Sequence, residues 1–328
     1  MSPLGEVDRD TAGAETWHVL GAGAMGCLWA ARLAAAGTPV TLLLRSTEAA
    51  ERFHAGDGVV RLESTAGDIA VRVQAEGPSD GIETMGQLLL TVKAHQVAEA
   101  LSSVAVRLGI QTTLVTLQNG LGSLDEAMHC LRGSKVAAGT TTEGAWLRGP
   151  FQAVHAGLGN TWIGPYPGLT PPLSADALVT ALGGEQARVQ WDPAVLERLW
   201  LKLAINCVVN PLTALVDCPN GELLVHAPSR ALLAQVSNEV QEVITLAGHP
   251  PQRPLLALVT EVLQRTAANR SSMLQDLRSG RLSEIEYING YLQQTAERLG
   301  YPTPVNTALL DLVRSKQALV REASSTKP

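Results

Sequence analysis

Lys202, Asn206 and Asn210 are polar positions in an otherwise apolar stretch, Leu199 to Asn210. Their spacing of i, i+4 and i+8 stacks them on one face of a helix. A lysine and two amides on an apolar stripe are costly unless they meet a polar ligand or one another. The alternative is a solvent-facing stripe, but such stripes more often carry Glu, Lys and Gln than Asn, a weak helix former. The set suits a carbonyl oxygen on which charge develops. An ammonium can bond that oxygen and then yield a proton. Neutral amides can hold neighbouring oxygens without adding a charge that repels the lysine. Pro211 disfavours the helical conformation at Asn210, so this helix is expected to end there.

A second constellation lies near the start of the chain. Gly21-Ala22-Gly23-Ala24-Met25-Gly26 follows a short apolar strand and opens an Ala-rich helix. Gly21 permits a tight turn, Gly23 lets the backbone approach a pyrophosphate, and Gly26 lets helix and strand pack closely. The helix N-terminus offers free N–H groups and a positive dipole end to phosphates. All six residues are therefore cofactor-binding candidates. A second strand ends in Leu44-Arg45-Ser46, where a site for the 2′-hydroxyl form would carry a carboxylate. A cation and a hydroxyl suit a 2′-phosphate, so Arg45 points to NADPH.

Other polar clusters are ambiguous from their residues alone. Asn220 stands in Cys-Pro-Asn-Gly, a turn by composition. In Asn269-Arg270-Ser271-Ser272-Met273, Ser271 or Ser272 could cap a helix or meet a substrate oxygen. Ser283 with Glu286 three residues on is a capping-box pattern, and Glu284 in a first helical turn could simply favour the macrodipole.

The elements that must position these groups fall into two regions. His18–Leu20, Val40–Arg45, Leu88–Lys93 and Thr113–Leu117 are short apolar runs. Ala24–Ala36 and Ala94–Leu108 are helix-like stretches between them, which argues for βαβ units and a mostly parallel sheet. Val59–Glu63 and Ile69–Val73 are expected to form a hairpin, and Phe151–His155 with Thr161–Ile163 a second one. From Asp192-Pro193, a helix start, the reading is almost all helix. Helices are expected over Pro193–Val209, Ser229–Ala247, Arg253–Ala268, Glu284–Leu299 and Asn306–Glu322. The expected plan is a loose tail over 1–15, an α/β dinucleotide-binding domain with a Rossmann-type parallel sheet over 16–190, and an all-α substrate and catalytic domain over 191–325. A cleft between two such domains is the default place for chemistry.

Composition excludes several classes. The 328 residues carry 25 Lys and Arg against 31 Asp and Glu, a net charge of −6, without the basic footprint of a nucleic-acid binder. No apolar stretch reads as a membrane span, and the first ten residues lack the apolar segment of a signal peptide. Four cysteines without CxxC spacing suggest a reduced, cytoplasmic protein with no structural zinc or other metal. The sequence fixes no oligomeric state; a homodimer is among the assemblies to expect.

Taken together, the motifs resemble the ketopantoate reductase (2-dehydropantoate 2-reductase) family from about Trp17 to Glu322. They are GAGAMG at 21–26, TVKAHQ at 91–96, LQNGLG at 117–122, GTTTEGA at 139–145, WLKLAINCVVNPLTAL at 200–215, CPNGEL at 218–223, SSMLQD at 271–276 and EIEYING at 284–290. The resemblance implies NADPH-dependent reduction of the 2-oxo acid ketopantoate to (R)-pantoate, a step toward pantothenate and coenzyme A. It implies that Lys202 is the proton donor and contacts substrate. Glu284 would orient Lys202 and the reacting oxygen, close to the cofactor. Asn206, Asn210, Asn220 and Ser272 would hold substrate. Lys93 and Asn119 would line the nicotinamide side with Ala145 nearby, Asn119 also touching substrate. Two other readings use the same frame: a reductase of another 2-oxo acid, and a sensor that binds NADPH without turnover.

Overall fold

The computed structural model describes residues 15–325; apart from Glu15, the tail expected over 1–15 lies outside them. The chain forms two compact units. One takes the residues up to Gln118 together with Leu124–Leu196, and the other takes Asn119–Ser123 together with the chain from Glu197 onward.

The first unit is α/β. Its strands are β1 (Trp17–Leu20), β2 (Val40–Leu43), β3 (Val59–Glu63), β4 (Ile69–Arg72), β5 (Gln74–Glu76), β6 (Gln87–Leu90), β7 (Thr113–Thr116), β8 (Lys135–Thr141), β9 (Gly144–Gly149), β10 (Gln152–Gly157), β11 (Thr161–Pro165) and β12 (Val189–Trp191). The helices up to that point are α1 (Ala24–Ala35), α2 (Thr47–Gly56), α3 (Val97–Val104), α4 (Ser123–Glu126) and α5 (Ala175–Ala181). Eight strands form one sheet in the order β12-β11-β8-β7-β6-β1-β2-β5. Its pairs are parallel except β8 with β11. Strands buried on both faces read as continuous apolar runs. Leu88, Leu89 and Leu90 of β6 are all fully buried, Leu89 in one cluster with Leu28 and Trp29 of α1, Leu88 and Leu90 in another with Val97 and Leu101 of α3.

A smaller sheet has the order β4-β3-β10-β9. It contains the first expected hairpin, β3 against β4. The second expected hairpin does not form. β10 pairs instead with β9 and β3, and β11 pairs antiparallel with β8 in the large sheet. β9 and β10 are joined by the short turn through Pro150 and Phe151, where φ of Phe151 is 58°, so the partner nearest in the chain takes the edge. β11 carries Ile163, fully buried, which belongs inside the larger sheet.

The second unit is helical, with α6 (Val195–Val216), α7 (Ala227–Leu246), α8 (Leu255–Arg265), α9 (Ser272–Arg278), a π-helical turn over Glu286–Gly290, α10 (Tyr291–Arg298) and α11 (Pro304–Ser325). Asp192 caps the entry to α6, its Oδ1 accepting the Ala194 N–H at 2.8 Å. By length and composition α6 could cross a membrane, but 67% of that window is buried inside the protein, as the central helix of a bundle requires.

Contrary to expectation, α6 does not end at Asn210 but runs through Pro211 to Val216. An internal proline costs about 3 kcal/mol or more, because the carbonyl four residues back loses its donor and the ring crowds it. Here that carbonyl, Cys207 O, accepts from Asn289 Nδ2 at 2.9 Å. The expected capping box at Ser283 is also absent. Both the N–H and the hydroxyl of Ser283 donate to Gln317 Oε1, and Glu286 pairs with Arg314. The helix expected to begin at Glu284 opens with a π-helical turn over Glu286–Gly290.

Candidate active site

The glycine-rich turn has the form its sequence requires. Gly21 has φ +107°, and a Cβ there would lie 2.6 Å from Val92 Cγ1. At Gly26 a Cβ would stand 1.8 Å from the Gly21 carbonyl oxygen. Thr91 pins that same oxygen, its hydroxyl donating at 2.8 Å. Gly23 faces open space, with nothing within 4 Å of its Cβ position. Gly23 is also the N-cap of α1, and no side chain caps the helix. Its first amides, those of Ala24 and Met25 included, are thus unspent on a side chain and accessible to an anion. The turn follows β1 at the carboxyl end of a parallel sheet, where such sheets bind ligands. These residues fit a dinucleotide pyrophosphate.

At the end of β2, Arg45 is exposed. Ser46 caps α2, its oxygen accepting the Ala49 N–H at 3.2 Å. Lys93 follows β6 at the head of a short 3₁₀ turn. Ala145 lies in β9 of the small sheet, opposite His155.

In the second unit Lys202, Glu284 and Asn119 come together. Glu284 is buried, and its Oε2 accepts from Asn119 Nδ2 at 3.2 Å. Its charge acts on Lys202. Lys202 is half-buried by surface, yet its amine is surrounded closely enough that burial pulls its pKa from the usual lysine range down to about 8, with Glu284 opposing the shift. Asn119 arrives on the segment after β7, held by the Leu121 N–H donating to Tyr287 O at 3.0 Å. Asn206 and Asn210 continue the Lys202 face along α6, with Asn210 buried.

Asn220 and Ser272 do not join the Lys202–Glu284 pair directly. Asn220 Nδ2 donates to Thr266 Oγ1 at 2.9 Å, its backbone N–H donates to Asn269 O at 2.9 Å, and its buried Oδ1 has no partner among the described residues. The ambiguity between the two serines is resolved for capping. Ser271 caps α9 and accepts from the Thr213 hydroxyl at 2.7 Å, which leaves Ser272 exposed in the first turn.

Two polar clusters escaped the sequence reading. One is Glu143, which takes both guanidinium nitrogens of Arg32, at 3.0 and 3.2 Å, and also pairs with His155. The other is Asn289 and Asn306, both fully buried and bonded to each other. The only prior signal for the second was Pro211 itself, which leaves a helix carbonyl in need of an outside donor.

A dinucleotide-type turn on a parallel sheet, with a low-pKa lysine beside a carboxylate in a helical unit, defines a two-domain nicotinamide-dependent oxidoreductase. Comparison with known proteins is specific. Residues 17–168 match the family "Ketopantoate reductase PanE/ApbA", and residues 194–317 match its C-terminal domain. The chain belongs to the ketopantoate reductase (PanE/ApbA) family. The 2-dehydropantoate 2-reductase of Escherichia coli O157:H7 is 37% identical over 303 residues, 92% of this chain and 94% of that one. Among solved structures, a PanE/ApbA family ketopantoate reductase from Ralstonia eutropha JMP134 superposes with a TM-score of 0.83 at 28% identity, covering 93% of this chain and 99% of that one. A D-mandelate dehydrogenase solved with NADH and anilino(oxo)acetate shares the fold, with a TM-score of 0.84 at 22% identity over 93% of this chain and 99% of its own.

Proposed function

We propose that this chain reduces 2-dehydropantoate to (R)-pantoate with NADPH, residues 16–190 holding the cofactor and 191–325 the substrate. The observation that carries this is Lys202 beside the buried Glu284, which is tied to Asn119, on a family-matched chain. NADPH, when bound, supplies the hydride taken up by the 2-keto carbon. The chain's own task is the oxygen. Lys202 bonds it as it becomes an alkoxide and then transfers a proton from Nζ. Glu284 favours the charged form of that amine, opposing the effect of burial, and the Asn119 amide bonds the carboxylate. Asn206 and Asn210 bond substrate oxygens along the same helix face. The unpartnered Asn220 Oδ1 is an acceptor suited to a substrate hydroxyl. The exposed Ser272 hydroxyl suits its carboxylate. Gly21–Gly26 hold the pyrophosphate and Arg45 the 2′-phosphate, with Lys93 and Ala145 on the nicotinamide side. Four free, buried cysteines support a reducing, cytoplasmic compartment.

The direct test is steady-state NADPH oxidation with ketopantoate beside pyruvate and 2-oxoisovalerate. Ketopantoate is expected to have the highest kcat/KM. A clear preference for another acid assigns the same chemistry to that substrate, and cofactor binding without oxidation of any of them identifies a sensor.

Two further outcomes follow from the site. Since Lys202 must be protonated to donate and its pKa in the free protein is about 8, kcat/KM is expected to hold below that pH and to fall about tenfold per pH unit above it. Glu284 raises the lysine pKa, so Glu284→Gln moves the falling limb to lower pH; a limb that stays in place separates Glu284 from Lys202. Arg45→Ala should weaken NADPH by about 1.5–3 kcal/mol, the loss of one charged hydrogen bond, and leave NADH affinity unchanged. Equal losses for the two cofactors would show that Arg45 does not read the 2′-phosphate.

A further inference from the structure

Pro211 lies inside α6, one residue after the last asparagine of the Lys202 face. It has no N–H for the Cys207 carbonyl, which belongs to the turn between Asn206 and Asn210. The missing bond is made from elsewhere in the same unit. One N–H of the Asn289 side-chain amide donates to Cys207 O at 2.9 Å and the other to Asn306 Oδ1 at 2.8 Å. Asn306 returns a bond from its Nδ2 to the Asn289 carbonyl at 3.1 Å. Asn306 is itself held from α7, where Glu239 accepts the N–H groups of Val305 and Asn306 at 2.8 Å each. Asn289 and Asn306 are both fully buried, so no water competes for these bonds.

The position of Asn289 gives this bond a purpose beyond repair. It sits in the π-helical turn Glu286–Gly290, which starts two residues after Glu284. Tyr287 of the same turn accepts the Leu121 N–H from the Asn119 segment. π-helical turns are rare and tend to persist at functional sites. Here the turn carries on one short stretch the contacts to the Asn119 loop and to the broken rung of α6.

We infer that Asn289 is a positioning residue of the active site: its amide replaces the bond Pro211 cannot make and holds Asn206 and Asn210 in register with the Glu284 segment. The inference rests on the substrate-holding role given above to Asn206 and Asn210.

The test compares wild type, Asn289→Ala, Pro211→Ala and the double variant. Pro211→Ala gives residue 211 an N–H of its own for Cys207 O, so Asn289 becomes dispensable for that bond. Asn289→Ala is expected to raise KM for ketopantoate at least tenfold, lower kcat less than threefold and leave NADPH affinity within twofold. The double variant should return to within threefold of Pro211→Ala. The bond to Asn306 is lost in both Asn289 variants, so recovery would report the Cys207 rung alone. No recovery, or a parallel loss of NADPH affinity, overturns the inference. If Asn289→Ala alone does not fold, Pro211→Ala against the double variant asks the same question, and a tenfold gap between them overturns it.

Hydrogen exchange of the peptide spanning 203–216 gives a readout free of any substrate. Protection should fall in Asn289→Ala and return in the double variant; unchanged protection overturns the inference. A wild-type protein that reduces no 2-oxo acid would refute the proposed function before any variant is made, and the exchange measurement would still decide the role of Asn289.

Discussion

Lys202→Ala is expected to lower kcat by two or more decades while NADPH affinity stays within a few-fold. The alkoxide loses its charged donor, and one such donor is worth about 3 kcal/mol or more in the transition state. Burial has brought this amine to a pKa of about 8, where it both stays charged at neutral pH and releases its proton readily. Lys202→Arg should not restore the rate, because a guanidinium is planar and does not give up its proton at working pH. Because the lost interaction forms only as charge develops, kcat and kcat/KM should fall together. Rapid-mixing kinetics with saturating ketopantoate would measure the step directly. A turnover within threefold of wild type removes Lys202 from the role of proton donor.

Gly26→Ala is expected to be the most damaging single methyl in the first unit. Its Cβ would lie 1.8 Å from Gly21 O and 2.8 Å from Thr91 Oγ1. Neither is the free end of a flexible chain, so α1 must move away from β1 at the point where the phosphate turn is built. Overpacking typically costs about 1–3 kcal/mol, and a contact this close to backbone belongs at the top of that range, read as a drop of roughly 2–4 °C in Tm for each kcal/mol. NADPH affinity should fall at least a hundredfold with it. Gly23→Ala is the control. Nothing lies within 4 Å of its Cβ, so Tm should hold while NADPH binding weakens, because the methyl occupies the space a pyrophosphate would enter. Paired thermal melts and NADPH titrations distinguish the two variants. If Gly26→Ala melts and binds like wild type, the turn is looser than its geometry requires.

The two regions of the fold were legible because each follows a simple periodicity. Apolar runs punctuated by glycine gave the parallel strands, and the 3.6-residue pattern after Asp192 gave the bundle. The Lys202 face was legible for the same reason, since i, i+4 and i+8 need no tertiary information. What failed was decided by partners distant in the chain. The rule that a helix stops before proline is local, whereas Asn289 supplies the missing donor from 82 residues away. Ser283 and Glu286 had the right spacing for a cap, but the folded chain pairs them with Gln317 and Arg314 instead. β10 and β11 look like a hairpin in the sequence because Gly157 and Gly159 lie between them and suit a turn. The tighter turn at Phe151 and the burial of Ile163 assigned them to different sheets. Nothing in the local sequence distinguished Ser271 from Ser272. The cap bond to Leu274 and the Thr213 hydroxyl, on another helix, show that Ser271 is the one that turns inward.

The segment Asn119–Ser123 groups with the helical unit although the chain on both sides of it belongs to the α/β unit. Glu284 and Tyr287 each take a hydrogen bond from it. A gene fragment starting at Glu197 would therefore encode the bundle without the pentapeptide that steadies its acidic residue. A helical half grafted onto a foreign α/β half would need a host loop that supplies the same two hydrogen bonds.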